Sequence, residues 1–200
     1  AYKKHGRIIF NGNGYSEEWQ EEAKRRGLTN ETSANTALRK YLDPEILKVT
    51  EETGMLTIQE SASRYNAYAE RYVTHLCIEA RTLIDMANKY ILPFGLKYSN
   101  LLAENIERVE KFYPEGVEEQ KELLKSVLTD ISNIRKETKL LEARIAEVKK
   151  EENLEKQTDM AKEFLVEGLE NLRVPCDNLE KIVDNEIWTL PTYTDLLFKL

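Results

Sequence analysis

The side chains able to do chemistry are few and far apart. His5 and His75 are the two histidines, and Cys77 and Cys176 the two cysteines. His75 and Glu79 stand four positions apart, on one face of a helix, a spacing that could hold a metal ion. A di-iron bundle, however, requires a Glu-x-x-His on each of two helices, and the sequence has none. Glu79 interrupts an otherwise apolar seam. A buried carboxylate there needs a partner, which Arg135 on a facing helix or His75 one turn back could supply. Register specification or a buried ion pair is favoured over catalysis. Cys77 lies two positions from His75 and so does not face it on a helix, and Cys176 has no histidine near it in sequence. Both read as core-filling residues. Gly12-Asn13-Gly14 ahead of a helix resembles a phosphate-cradling turn, because backbone amides and a helix N-terminus attract anions. No glycine completes a GxGxxG pattern and no Gly-Lys pair supplies a P-loop lysine, so a plain strand-to-helix turn is favoured. No residue is assigned to catalysis, to a cofactor or to a metal.

The elements that must carry these residues are announced by composition. Eight glycines and five prolines in 200 residues are sparse, about half the usual share, while charged residues at 32% exceed the usual quarter. That mixture suits long amphipathic helices and argues against a loop-rich or all-β chain. A net charge of −7 disfavours nucleic acid and anionic membrane as partners. The one tight basic cluster, Lys24-Arg25-Arg26, ends a predicted helix, where cations complement the dipole. Two cysteines without a CxxC or a disulfide framework fit a reducing compartment. No apolar run approaches a membrane span, and the stretch after the basic start is too short for a signal peptide. A chain without an initial Met, entering a strand almost at once, points to a piece of a longer polypeptide, although processing could equally remove a Met.

Arg7 to Phe10 predicts a short strand, and residues 11–14 a sharp turn through positive φ. Ser16 then caps a helix with Glu17 and Glu18 in its first turn and Gly27 as its stop. Asp43-Pro44-Glu45 starts a second short helix that Gly54 ends. Thr57 and Glu60 form a capping box for a much longer helix. In it Ile58, Ala62, Tyr65, Ala69, Tyr72, Leu76, Glu79, Leu83, Met86 and Tyr90 make a heptad seam, and Tyr65, Tyr68, Tyr72, Tyr90 and Tyr98 a stripe whose rings pack and whose hydroxyls reach the rim. From Ile58 to Ile91 such a helix runs roughly 50 Å. Pro93 is expected to kink it rather than stop it. After a turn at residues 112–116, Leu124, Val127, Ile131, Ile134, Thr138, Leu141, Ile145 and Val148 form a second heptad seam. A third helix carries Leu154, Ala161, Leu165, Leu169 and Leu172 and is expected to end before Val174-Pro175, with Asp177 capping a last one. Residues 187–193 predict an extended aromatic tail docked on the bundle. The fold class is therefore mainly α: an elongated antiparallel bundle of long heptad-patterned helices, with a short N-terminal strand and turn and a docked C-terminal tail.

Read as a string, Arg7-Ile8-Ile9-Phe10-Asn11-Gly12-Asn13-Gly14-Tyr15-Ser16-Glu17-Glu18-Trp19 resembles the segment that follows the catalytic core of type III glutamine synthetases. The helix containing Ile78-Glu79-Ala80-Arg81-Thr82-Leu83-Ile84-Asp85-Met86-Ala87 and then Tyr90-Ile91-Leu92-Pro93 is similar to that family's C-terminal extension, and so is the tail from Trp188 to Phe198, with threonine at 189 where proline is expected. The resemblance spans the chain and is more specific at its ends than in its charged middle. It implies membership of an ATP-dependent ligase that joins ammonia to glutamate through a γ-glutamyl phosphate, using ATP and Mg2+ or Mn2+, in ring-shaped cytoplasmic homo-oligomers. The metal-binding glutamates and the ATP and glutamate pockets of that family lie upstream of these residues. On this reading residues 1–40 are the tail end of the catalytic-domain region and residues 41–200 a C-terminal helical bundle. The chain is then noncatalytic by itself, with a structural, assembly or regulatory role, and its partners are the catalytic domain and neighbouring subunits. A free-standing coiled-coil adaptor and an autonomous metalloenzyme bundle are the competing readings.

Overall fold

The computed structural model describes residues 2–6 and 9–198, and the backbone divides into two units, Ala1–Tyr68 and Ala69–Leu200. The first unit is a string of short helices: α1 (Tyr2–His5), α2 (Glu17–Arg25), α3 (Ala34–Arg39), a 3-10 turn over Lys40–Leu42, and α4 (Pro44–Glu52). The boundaries of α2 and α4 follow the sequence signals, although Ser16 makes no side-chain capping bond, and no sequence signal marks α1 or α3. Asp43 accepts a hydrogen bond from the Glu45 amide at the start of α4. Gly27 and Gly54, both at φ +68°, close α2 and α4 in the left-handed region that glycine enters without a Cβ penalty.

The strand expected over residues 7–10 falls partly on Arg7 and Ile8, which lie outside the described residues. Ile9 and Phe10 are not in a strand, and among the described residues there is none. Side chains hold this segment instead. The Phe10 ring lies 4.9 Å from that of Trp19 on α2 and 5.9 Å from the Arg26 guanidinium, whose Nη1 donates to the Ile9 carbonyl at 2.6 Å. The turn at residues 12–14 also uses no positive φ. Asn13 makes it, its Oδ1 accepting from the Tyr15 amide at 3.0 Å. A Cβ at Gly12 would meet the end of the Phe10 ring at 2.4 Å, so a larger residue there displaces that ring.

The long helix opens with the capping box: the Glu60 carboxylate accepts from the Thr57 amide at 2.8 Å, and the Glu60 amide donates to Thr57 Oγ1 at 3.2 Å. Helix α5 (Ile58–Met86) crosses the division between the units and passes through a π-helical segment, Ala87–Ile91, into α6 (Leu92–Glu110). The chain thus stays helical through Pro93, as the sequence predicts. The widened turn directly before the proline is where the helix takes up a residue that lacks an amide hydrogen and crowds the preceding carbonyls. After a 3-10 turn at Pro114–Gly116 comes α7 (Glu118–Lys150), 33 residues or about 50 Å long. Then follow α8 (Leu154–Met160), a second π-helical segment (Ala161–Val166), α9 (Glu167–Ile182) and α10 (Tyr193–Phe198).

In the second unit three helical rods pack antiparallel. Asn105 on α6 hydrogen-bonds Gln120 near the start of α7; at the other end of α7, Arg144 donates to the Phe164 carbonyl, while Asp130 accepts from Asn178 on α9. The descending pairs 130–178 and 144–164 fix the opposite direction of α7 and α9. Ile134, Leu141, Leu165, Leu172 and Leu179 are fully enclosed between them. Each such side chain contributes about 1.5–3 kcal/mol of burial.

Two sequence expectations are corrected here. The third helix does not end before Pro175. It continues to Ile182 with Pro175 inside it, and Asp177 caps nothing. Leu172, Cys176 and Leu179 are buried on either side of the proline, and their combined burial outweighs the roughly 3 kcal/mol cost of an interior proline. The second correction concerns periodicity. On α7 the heptad seam holds, with Val127, Ile134, Leu141 and Val148 all buried at steps of seven. On α5 and α6 the buried positions recur every eleven: Ala69, Ala80, Ile91 and Leu102, alongside Val73, Ile84, Gly95 and Ile106. Eleven residues over three turns lie close to the natural pitch of an α-helix, whereas a strict heptad stripe drifts around it. Glu79, Met86 and Tyr90 thereby leave the core.

The C-terminal segment is a turn followed by a short helix, not an extended tail. The Asp184 carbonyl accepts from the Ile187 and Trp188 amides, and α10 begins at Tyr193. Trp188 itself is buried, its ring 5.3 Å from that of Phe94 on α6.

Candidate functional site

A cavity of about 580 Å3 lies in the second unit between the α5 end of the long helix, α9 and the C-terminal segment. Its walls are apolar: Leu83, Met86 and Ile91 from the long helix, Leu169 from α9, Trp188 and Leu196 from the C-terminal segment. Its charged groups are Glu79 together with Glu170, Arg173, Asp177 and Glu180 of α9. Arg173 Nε donates to Asp177 Oδ2 at 3.2 Å, one turn apart on the same helix. The Trp188 indole N–H is buried with no acceptor among the described residues. The drift of the heptad stripe creates this cleft. Leu83 and Met86 belong to the predicted seam, yet the buried face of α5 has rotated past them.

Most residues singled out from the sequence lie elsewhere. His75 and Arg135 are exposed, as is Glu79, and among the described residues no ion pair joins Glu79 to either. The expectation of a buried Glu79 that specifies register is therefore overturned: the carboxylate stands in solvent and needs no partner to offset burial. No group of three His, Cys, Asp or Glu side chains among the described residues is arranged to hold a metal ion.

Cys77 and Cys176 are buried free thiols. Burial raises the Cys77 thiol, an effect the Lys149 and Arg81 charges oppose. Cys176 is pushed up to about 12 by burial, with the Asp177 and Asp130 carboxylates adding to it. Burial disfavours the thiolate in both, and with it nucleophilic chemistry. Of the tyrosine stripe, Tyr65 is buried, Tyr72 and Tyr98 are half-buried, and Tyr68 and Tyr90 are 41% and 43% exposed. Tyr68 pairs with Tyr41 at 5.8 Å between ring centroids.

Asn13 closes the Gly12-Asn13-Gly14 turn by accepting: it takes the Tyr15 amide through its side chain and the Ser16 amide through its carbonyl, and the Ser16 carbonyl accepts from the Trp19 amide. Glu17 and Glu18 add two carboxylates to the first turn of α2, where they disfavour an anion. The basic cluster at the end of α2 is neutralised locally. Arg25 and Arg26 both reach Glu22, at 2.5 Å, and hold its carboxyl well below its ordinary range, at about 2.

Comparison with known proteins brings these features together. Residues 1–110 match the profile of the family described as Glutamine synthetase C-terminal domain. The chain is similar to glutamine synthetase of Bacteroides fragilis, at 36% identity over 96% of this chain and 27% of the relative. It is 28% identical to type-3 glutamine synthetase of Dictyostelium discoideum, over 98% of this chain and 27% of that protein. With glutamine synthetase of Butyrivibrio fibrisolvens it shares 27% identity over 98% of this chain and 28% of the relative. The chain thus spans little more than a quarter of the length of the curated relatives it matches.

Proposed function

The chain belongs to the Glutamine synthetase C-terminal domain family, and on that footing we propose that it is the noncatalytic helical part of an ATP-dependent ligase making glutamine from glutamate and ammonia. One observation carries the reading: nearly the whole chain aligns with only 27% of the Bacteroides fragilis enzyme, so a far larger share of such an enzyme lies outside these residues. The side chains support it. The thiols are buried and poorly acidic, and the glycine turn carries Glu17 and Glu18 at the start of the helix that follows it. The metal ions of the ligase do not fit the residues present, because no carboxylate or histidine cluster is assembled among the described residues to receive them. No step of the reaction is assigned to this chain.

What the bundle supplies is mechanical. A γ-glutamyl phosphate is lost if water reaches it, so the enzyme depends on closed and well-supported sites. Residues 1–40 pack against the catalytic region, and residues 41–200 brace subunit contacts in a ring-shaped, cytoplasmic homo-oligomer or transmit a regulatory signal to it. An interdigitated three-helix core suits that role, since packed interiors transmit strain rather than absorb it. Incubating the 200-residue chain with glutamate, ammonia, ATP and Mg2+ tests the placement of the active site. The reading requires no glutamine above a protein-free blank, and turnover that scales with protein concentration overturns it.

A further inference from the structure

Of the asparagines in the chain, only Asn11 and Asn13 are followed by glycine. In that pair the glycine main-chain nitrogen can reach the asparagine side chain, because no Cβ obstructs the approach. We propose that Asn11 is a site of spontaneous covalent modification, converting through a cyclic imide into aspartate and isoaspartate, and that the fold protects Asn13 from the same reaction. The inference rests on the chemistry of this loop and not on the ligase reading.

In the first step a base from solvent takes the proton of the Gly12 amide, and the nitrogen attacks the Asn11 side-chain carbonyl carbon. A bond forms from that nitrogen to Cγ, the bond from Cγ to Nδ2 breaks, and the leaving nitrogen takes a proton from water and departs as ammonia. Water then opens the imide at either carbonyl. Opening at Cγ gives aspartate, whereas opening at the main-chain carbonyl gives isoaspartate, in which the chain runs through Cβ and Cγ.

The two Asn-Gly pairs differ in how they are held. Asn11 and Gly12 are exposed, and among the described residues no hydrogen bond restrains the Asn11 carboxamide or the Gly12 amide. Asn13 is exposed as well, but its Oδ1 accepts from the Tyr15 amide at 3.0 Å, and its carbonyl accepts from the Ser16 amide at 3.1 Å and the Ser16 hydroxyl at 2.7 Å. Turning the Asn13 carboxamide onto the Gly14 nitrogen gives up the Tyr15 bond, and losing one net hydrogen bond slows the attack roughly fivefold. Isoaspartate at position 11 has a local consequence. The chain folds back so closely there that a Cβ on Gly12 would lie 2.4 Å from the Phe10 ring, and that ring lies 4.9 Å from Trp19. An added main-chain atom between Phe10 and Gly12 changes that approach and loosens the contact with Trp19.

The test ages the 200-residue chain in mildly alkaline buffer and follows, by peptide mapping with mass spectrometry, the exchange of NH2 for OH at each asparagine. In the folded chain Asn11 is expected to convert roughly fivefold faster than Asn13, and in guanidinium chloride, where the turn is lost, the two rates are expected to agree within about twofold. In a Trp188→Phe chain, which keeps Trp19 as the sole tryptophan, emission is expected to shift to the red in step with Asn11 conversion. Asn11→Gln, whose longer side chain closes such a ring far more slowly, is expected to hold the emission constant. An Asn11 that converts no faster than Asn100, an exposed helical asparagine not followed by glycine, overturns the site. Equal rates at Asn11 and Asn13 in the folded chain, or a preference that persists in denaturant, overturn the protection by the fold. Unchanged Trp19 emission after complete conversion of Asn11 overturns the local consequence.

Discussion

Gly95 sits where the three rods of the second unit converge, which makes it the sharpest probe of how closely they pack. A Cβ there would lie 3.0 and 3.2 Å from Ile131 on α7 and 3.1 Å from Leu179 on α9, tighter than ordinary van der Waals contact on two sides at once. Two effects of known size compete in Gly95→Ala. Replacing glycine within a helix gains about 0.8–1 kcal/mol of helix propensity. Forcing a methyl group into a filled interior costs about 1–3 kcal/mol. Leu179 is fully buried and has nowhere to go, while Ile131 is only half-buried and can yield a little. The net expectation is a loss of about 1 kcal/mol, or about 2–4 °C in Tm. Urea unfolding followed by Trp188 fluorescence in the Trp19→Phe background reads the second unit specifically. In a chain that also carries Ile131→Val, which shortens one of the clashing side chains, the alanine is expected to be neutral or stabilising, giving a coupling above about 0.5 kcal/mol. A Gly95→Ala chain that gains the full propensity term, with no coupling to residue 131, would refute the three-helix convergence.

Three further outcomes follow from the same structure. Pro175→Ala restores an amide hydrogen within α9 and removes a ring from the preceding turn, so it is expected to raise the urea midpoint despite some lost packing. Glu22, held at about 2 against an ordinary 4.5 by Arg25 and Arg26, contributes stability that is present above pH 4.5 and lost as the pH falls toward about 2. Trp19 emission in a Trp188→Phe chain should change across that window, and Glu22→Gln should abolish that component. The two thiols should resist a disulfide reagent at about pH 8 in the folded chain and both react in denaturant, because burial keeps them protonated and covered.

The sequence was most legible where the chemistry is local. The capping box at Thr57 and Glu60, the proline start of α4 and the glycine stops at 27 and 54 each satisfy orphan backbone groups with nearby residues, and all four stand as expected. The seam of α7 was legible for another reason: the helix runs against both α6 and α9, and its inward positions are large aliphatic residues. The inward face of the long helix carries Ala69, Ala80 and Ala87, whose small side chains give a weak hydrophobic signal although they allow close approach. The larger Leu83, Met86 and Tyr90 drew the stripe toward themselves, and Glu79 was carried into the core with them. Pro175 shows the reverse failure, a strong local stop overridden by tertiary burial. The cavity could not be read in advance, because the wall from residues 79–91 meets those from residues 169–180 and 188–196 only in the fold.

The central claim, that this chain supports an enzyme without performing its chemistry, is tested most directly in the whole polypeptide that carries it. Sedimentation velocity with a parallel glutamine-formation assay should compare that enzyme with a version lacking residues 41–200. The account predicts loss of the native oligomer, with impaired turnover or regulation. A truncated enzyme that assembles, turns over and responds to regulation like the intact one would contradict it.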